Sequence, residues 1–331
     1  MQRPKIALFG DNDSEQVRWL AGTVEREGGT PGIFDIQLCG AGGSRVSYGQ
    51  DMVAWDGESF DDVRAVHIRC ISPNTLPTLP PVLNERTHNE WRNQFLREQE
   101  LQAATYGFFD TLAARGTLVV NPLTSAYVDH NTKGQFYEKL RSWGFDTPAT
   151  LTTNDPTAVQ DFLDVHHEVV FKPAIGIGST RLLSPADMAR LDELRVCPVL
   201  MQERIRGHVV RVHIVGNSVV LSLRIRAEHI DSRTATEGFD FHRLPAEEEA
   251  KLVQANRRLG LHYSAWDIMV TDDGRHTYLD CNPGPFILWI GEEYVDGVMV
   301  QLARYLITYA KTGSIADATS AVTPWSPGEV P

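Results

Sequence analysis

Cysteine is scarce in this chain. The four present, Cys39, Cys70, Cys197 and Cys281, lie far apart in 331 residues and form no C-x-x-C pair. That spacing suggests neither a zinc site nor a disulfide framework. Long hydrophobic runs are missing as well, since none approaches the ~20 residues that a membrane-spanning helix needs. The opening residues 1–10 lack signal-peptide architecture, because their apolar run is too short. The chain therefore reads as cytoplasmic, with no membrane partner. Positive charge is in deficit too: 31 Lys and Arg stand against 43 Asp and Glu, a formal charge of −12. That balance argues against nucleic acid as a general partner and leaves only local cationic sites. Glycine fingerprints are also wanting. Gly10 ends the first strand-like run without a G-x-G-x-x-G pattern, and Lys172 precedes the glycines of its loop, so no Walker A motif exists. No internal repeat is visible.

What remains is an ordinary globular composition, 42% hydrophobic and 22% charged, in a chain long enough for two or three lobes. Residues 5–9 form a short buried-type strand, followed by an amphipathic helix near 14–27. A Gly-rich loop around 40–49 leads to a strand at 64–71, and together these open a parallel α/β lobe. Residues 73–81 make a proline-rich loop, 84–114 a long helix with a solvated charged face, and 117–120 a returning strand.

The most informative stretch is Ser264–Asn282. Two β-prone runs, 265–271 and 276–282, flank Asp272-Asp-Gly-Arg275, a hairpin signal. With Asp273-Gly274 as a two-residue turn, Thr271 pairs with His276 and Asp267 falls opposite Asp280. Alternation puts Asn282 on that face and turns Ile268, Val270, Leu279 and Cys281 into a core. Facing carboxylates repel unless something positive sits between them, and a hard divalent cation with oxygen ligands fits.

Lysines and arginines supply the complement. A helix starts at residues 129–133, ends at Trp143 and stops at Gly144. Residues 147–152 are extended beside Pro148. The strand 168–173 ends in Lys172, before the loop Ala174-Ile-Gly-Ile-Gly-Ser-Thr180. A strand-end lysine beside free backbone N–H groups suits a polyphosphate. A strand at 198–203 leads to a second hairpin, 209–214 and 218–226, around Gly216-Asn217. A two-residue turn there sets Arg211 opposite Ser222. Arg211, His213, Ser222, Arg224 and Arg226 then share one face, and Val210, Val212, Ile214, Leu221 and Leu223 the other. Such a sheet packs inward and offers anion-binding groups outward. Residues 228–244 read as an ordered loop, 245–259 as a helix with charges matched to its dipole, and 292–311 as an amphipathic helix before a mobile tail.

In this order the pieces resemble the ATP-grasp family, up to about residue 311. The carrying residues are Lys133, Lys172, Gln202-Glu203-Arg-Ile205, His208-Val-Val-Arg211, Asp267 and Asp280-Cys-Asn282. Within the family, the stretches 150–156, 230–232, 239–243, 259–261 and Asp280-Cys-Asn-Pro-Gly-Pro-Phe-Ile-Leu-Trp289 are similar to ligases that crosslink ribosomal peptides of the microviridin (graspetide) type. The resemblance implies an ATP-grasp fold of α/β class, with an N-terminal parallel α/β pre-ATP-grasp domain over 1–125. A central subdomain at 126–197, a C-terminal subdomain at 198–312 and a flexible tail at 313–331 would follow.

It further implies ATP and Mg²⁺. Lys133, Lys172, Gly176, Gly178 and Ser179 would serve the phosphates; Gln202, Glu203, Ile205 and His208 would line the nucleotide site. Asp267, Asp280 and Asn282 would carry the metal, and Arg211 and Arg224 would hold the incoming carboxylate and its acylphosphate. The family usually has Glu at the place of Asp280 and an acid at the place of His208; aspartate is one methylene shorter yet can still bridge metal ions. The implied activity is an ADP-forming carboxylate–amine or –hydroxyl ligase that closes macrocycles in a precursor peptide with leader and core, as a homodimer. Two alternatives stay open: an amino-acid or small-peptide ligase like the ribosomal-protein glutamate ligases, and an ATP-binding regulator without turnover.

Overall fold

The computed structural model describes residues 3–11, 14–37, 43–69, 84–123, 132–175, 179–227 and 236–324. The chain divides into two compact units, residues 1–124 with 299–322 and residues 125–298 with 323–331.

The first unit is built on a parallel sheet of order β2-β1-β6-β7, with β1 Lys5–Gly10, β2 Thr30–Asp35, β6 Ala65–Ile68 and β7 Leu118–Val120. Helix α1, Glu15–Arg26, starts at Ser14, whose side chain accepts from the Val17 amide, with Glu15 and Arg26 placed to suit its dipole. Helix α2, Glu85–Ala114, opens with a capping box between Asn84 and Thr87. Its last turns deliver Phe108 and Phe109 to an aromatic core with Phe9, Trp55 and Phe60. The loop expected around 40–49 holds a strand instead: β3 Val46–Tyr48, β4 Val53–Trp55 and β5 Glu58–Ser59 make a small antiparallel sheet. These strands are too short to show an alternation in sequence. The proline-rich loop 73–81 lies outside the described residues.

The second unit carries two antiparallel sheets. In one, of order β10-β9-β11-β8, the strands are β8 Thr150–Thr153, β9 Val169–Lys172, β10 Arg181–Leu182 and β11 Val199–Glu203. Helix α3, Lys133–Ser142, precedes it; α4, Pro156–His166, is capped by Asp155 with Pro156 in its first turn, and the short α5, Pro185–Met188, follows β10. The other sheet has the order β14-β13-β12-β15-β16, with β12 His208–Val215, β13 Ser218–Ala227, β14 Thr236–Phe241, β15 Tyr263–Val270 and β16 His276–Asn282. Strand β14 corrects the expectation of a loop at 228–244. It is an edge strand of polar composition, which leaves little hydrophobic signal to read. Helix α6, Ala246–Arg258, has Glu247, Glu248 and Glu249 in its first turn and Arg257 and Arg258 in its last. One face of the five-stranded sheet, with Val210, Val212, Trp266, Ile268 and Tyr278, packs with Phe136, Tyr137 and Leu140 of α3 and Leu252 of α6 in a single core.

Helix α7, Glu292–Thr312, is followed by α8, Ile315–Ser320, where the sequence suggested a mobile tail. Ser314 caps α8 and Ala318 is buried. Among the described residues no helix is long and apolar enough to cross a membrane.

Candidate active site

The carboxylate hairpin forms, with a different register near its tip. The loop has three residues, Asp272–Gly274, closed by the Thr271 amide donating to the Arg275 carbonyl, with Gly274 at φ +83°. Val270 rather than Thr271 therefore pairs with His276. A bulge between Asp267 and Ile268 then restores the count, and Asp267 stands opposite Asp280 as the sequence implied. Leu279 is the extra residue. It corrects the expectation that it points into the core: it lines the cavity described below, and Tyr278 takes the core position.

The arginine hairpin needs a similar correction. The turn pairs Val215 with Ser218 as expected, but a register shift at His213/Ile214 moves Arg211 opposite Leu223 and Arg224 opposite Val210. Arg211 and His213 therefore share a face with Leu221 and Leu223, and the uniformly cationic face does not form. An irregularity of this kind carries no residue signature that periodicity could detect.

A cavity of about 680 Å³ opens within the second unit, where the ends of the two sheets meet. That volume suits a nucleotide-sized ligand. It is lined by Lys133, Lys172, Gln202, Glu203, Ile205, His208, Arg211, Arg224, Asp267 and Asp280, so most of the residues singled out in the sequence converge on it. Gly176 and Gly178 lie outside the described residues. Ser179 is not among the lining residues, although Ile175 and Thr180 are. Asn282 shares the sheet face of Asp280 but is not in the lining, and its Oδ1 accepts from the Gly284 amide at 3.0 Å.

Each carboxylate of the facing pair carries a cation. Lys133, at the start of α3 and only 4% exposed, places Nζ 2.5 Å from Asp280 Oδ1. Arg211 donates through Nη1 to both Asp267 oxygens, at 2.9 and 3.1 Å, while its Nε is buried without a partner among the described residues. The guanidinium also lies over the Trp289 ring, 5.4 Å from its centroid. Burial pushes the Asp267 carboxyl above its ordinary range; Arg211 pulls it back and the Asp280 charge adds to the rise. On the lysine side, Lys172 Nζ donates to the Tyr137 hydroxyl at 3.0 Å. Glu203 accepts from the Ala149 amide at 2.8 Å, and Gln202 donates to Thr150 Oγ1 at 3.0 Å. His208 is held below its ordinary value by burial and by Arg224.

The donor set suits a hard cation. Asp267 and Asp280 supply carboxylate oxygens, and the amide oxygen of Asn282 lies one step along the same face. Among the described residues no group of three His, Cys, Asp or Glu gathers to hold a metal by itself. That fits an ion such as Mg²⁺, which takes one or two carboxylates and completes its shell from phosphates and water. Sequence reasoning missed Tyr137 and Trp289 as lining or supporting groups. Tyr137 could have been found, because it stands one helical turn after Lys133.

Residues 130–283 match the ATP-grasp domain family. An uncharacterized protein of Methanocaldococcus jannaschii is 27% identical over 115 residues, which cover 34% of this chain and 28% of that relative. The ATP-grasp ligase PsnB, solved with minimal precursor, Mg and ADP, superposes with a TM-score of 0.76 at 26% identity, covering 92% of this chain and 98% of that one. The macrocyclase MdnC of Microcystis aeruginosa, bound to precursor peptide MdnA, gives 0.72 at 21% identity over 90% and 99% of the two chains. A RiPP-associated ATP-grasp ligase of Chryseobacterium gregarium, with ADP and a leader and core peptide, gives 0.69 at 17% identity over 90% and 96%. At those last two identities the likeness shows the fold alone.

Proposed function

For a chain that carries an ATP-grasp domain and resembles the graspetide-type ligases, we propose an ATP-dependent ligase that joins carboxylate side chains of a precursor peptide to hydroxyl or amine side chains, closing macrocycles. The observation that carries this reading is the pairing of Asp267 with Asp280 in a cavity that also gathers Lys133, Lys172 and Arg211. Two facing acids with a cation on each make a site that can exchange those cations for a phosphate-bound metal. The likeness to PsnB over 92% of the chain supports a peptide as the acceptor.

In this reading Asp267 and Asp280, with Asn282 beside them, would hold Mg²⁺, which would supply neutralisation of phosphate charge. Lys133 and Lys172 bind phosphate oxygens as charged donors. Glu203 and the backbone at Ile205 border the nucleobase. Arg211, in the cavity lining beside Asp267, would present its guanidinium charge to the carboxylate being activated, and the Trp289 ring keeps the guanidinium plane in place. Arg224 binds the same substrate from the neighbouring strand. The carboxylate oxygen takes the γ-phosphoryl group of ATP as the bond to ADP breaks, and a hydroxyl or amine then attacks the acylphosphate, losing its proton as phosphate leaves, to give an ester or amide.

The test is the intact mass of an acidic candidate precursor peptide after incubation with the protein, ATP and Mg²⁺. The expected result is loss of one water per link, abolished by Asp267→Ala. A mass gain by an added amino acid would instead mean a small-substrate ligase. An unchanged peptide without ADP formation would overturn the reading.

A further inference from the structure

We propose that Tyr137 is a positioning residue whose hydroxyl ties the lysine at the end of β9 to the carboxylate strand β16. The inference rests on the nucleotide reading of the cavity given above. Tyr137 stands four residues after Lys133 on α3, so the two side chains leave the same side of the helix. It is fully buried and reaches strands of both sheets. The hydroxyl donates to the carbonyl of Leu279, the bulge residue directly before Asp280, at 2.5 Å. It accepts from Lys172 Nζ at 3.0 Å, and the same ammonium lies 5.4 Å from the centroid of the ring. Gln202 Oε1 on β11 stands 3.5 Å away.

The roles in this cluster are fixed by chemistry. An ammonium only donates, so the oxygen lone pair receives Lys172, and the single phenolic proton goes to the Leu279 carbonyl at 2.5 Å in preference to Gln202 Oε1 at 3.5 Å. Burial, reinforced by the Asp280 charge, raises the phenol's pKa and keeps it protonated across the working range. One oxygen thus sets two things. It holds a lysine on a flexible four-carbon stem near one orientation before a ligand arrives, which removes part of the ordering cost of binding. It also anchors the peptide group beside Asp280 at the point where the bulge leaves it without a regular ladder partner. Phenylalanine would fill the same volume and leave both partners without that oxygen.

The test is calorimetric titration of MgADP into the full chain as wild type, Tyr137→Phe, Lys172→Ala and the double variant. Tyr137→Phe is expected to weaken binding about tenfold, the size of one charge-assisted hydrogen bond. The double variant is expected to match Lys172→Ala within about twofold, because the hydroxyl acts through the ammonium. A merely structural hydroxyl would lower Tm in both backgrounds and show no coupling in affinity. An unchanged affinity for Tyr137→Phe, or the same loss in both backgrounds, would overturn the inference and leave the nucleotide reading intact. A wild-type chain that binds no MgADP would overturn both.

Discussion

Asp267 and Asp280 face each other across β15 and β16, yet neither is alone: Arg211 holds the first and Lys133 the second. The two ion pairs offset a repulsion that the hairpin register would otherwise leave in place. In the proposed function the same carboxylates are the groups a divalent ion would claim, which would free the two cations for the phosphates and the substrate.

Asp267→Asn keeps the shape and removes the charge. Loss of a supporting residue around a metal typically costs 10–100-fold, so loss of a direct ligand is expected to lower peptide-dependent ADP formation by at least about a hundredfold. A coupled ADP assay across Mg²⁺ concentrations measures it. Activity within a fewfold of wild type would show that this carboxylate holds no metal.

Arg211→Lys retains charge but loses the planar guanidinium that sets Nη1 against both Asp267 oxygens and lies over Trp289. The expected outcome is a fall in kcat of at least about tenfold, with KM for ATP little changed. A rise in KM for ATP at constant kcat would instead assign Arg211 to the nucleotide.

Stability is expected to fall in mild acid through two buried histidines. His67 is held at about 3, by burial first and then by Arg69, and His213 well below its ordinary value by burial and Arg211. Folded values below the unfolded ~6.5 mean that the unfolded chain takes up protons first. Stability is therefore intact above that pH and declines as pH drops towards the folded value, by about 1.4 kcal/mol per unit for each residue. Between pH 7.5 and 5.0, urea unfolding of His213→Leu is expected to lose about 2 kcal/mol less than wild type. Parallel losses would mean that His213 is charged in the folded state.

Gly207 precedes β12 with φ at +155°, and a Cβ there would sit 2.3 Å from the Val270 carbonyl oxygen. Backbone offers no easy retreat. Gly207→Ala is expected to destabilise by more than about 1 kcal/mol, read from the urea midpoint. An unchanged midpoint would show that this turn relaxes freely.

Much of this was legible in the sequence because the decisive residues sit in regular elements. Lys172 ends a run of apolar β-formers, and Asp267 and Asp280 occupy strands with strong propensity, so their convergence could be counted out residue by residue. What escaped was irregular. The shift at His213/Ile214 changes which residues face Arg211, and no residue type marks it. In the carboxylate hairpin two deviations cancel, the three-residue loop and the bulge at Leu279, so the Asp267–Asp280 pairing was right although the turn was not. Strand β14 and the small sheet β3-β4-β5 escaped for a plainer reason: strands of two or three residues are too short for alternation to show, and β14 is an edge strand with only two apolar side chains, Phe239 and Phe241. Tyr137 was within reach, one helical turn after Lys133, but its tie to β9 and β16 appears only once those strands meet at its hydroxyl.

The compensating bulge also divides the hairpin into two mechanical halves. Beyond it, towards the tip, Val270 and His276 follow the loop's own count; before it, the acids follow that of the sheet. A residue gained or lost at Asp272–Gly274 is taken up at the tip. The carboxylates would keep their stations, so length changes at this solvent-facing end would be felt at His208, through the charge of Asp272, before they reach the acids.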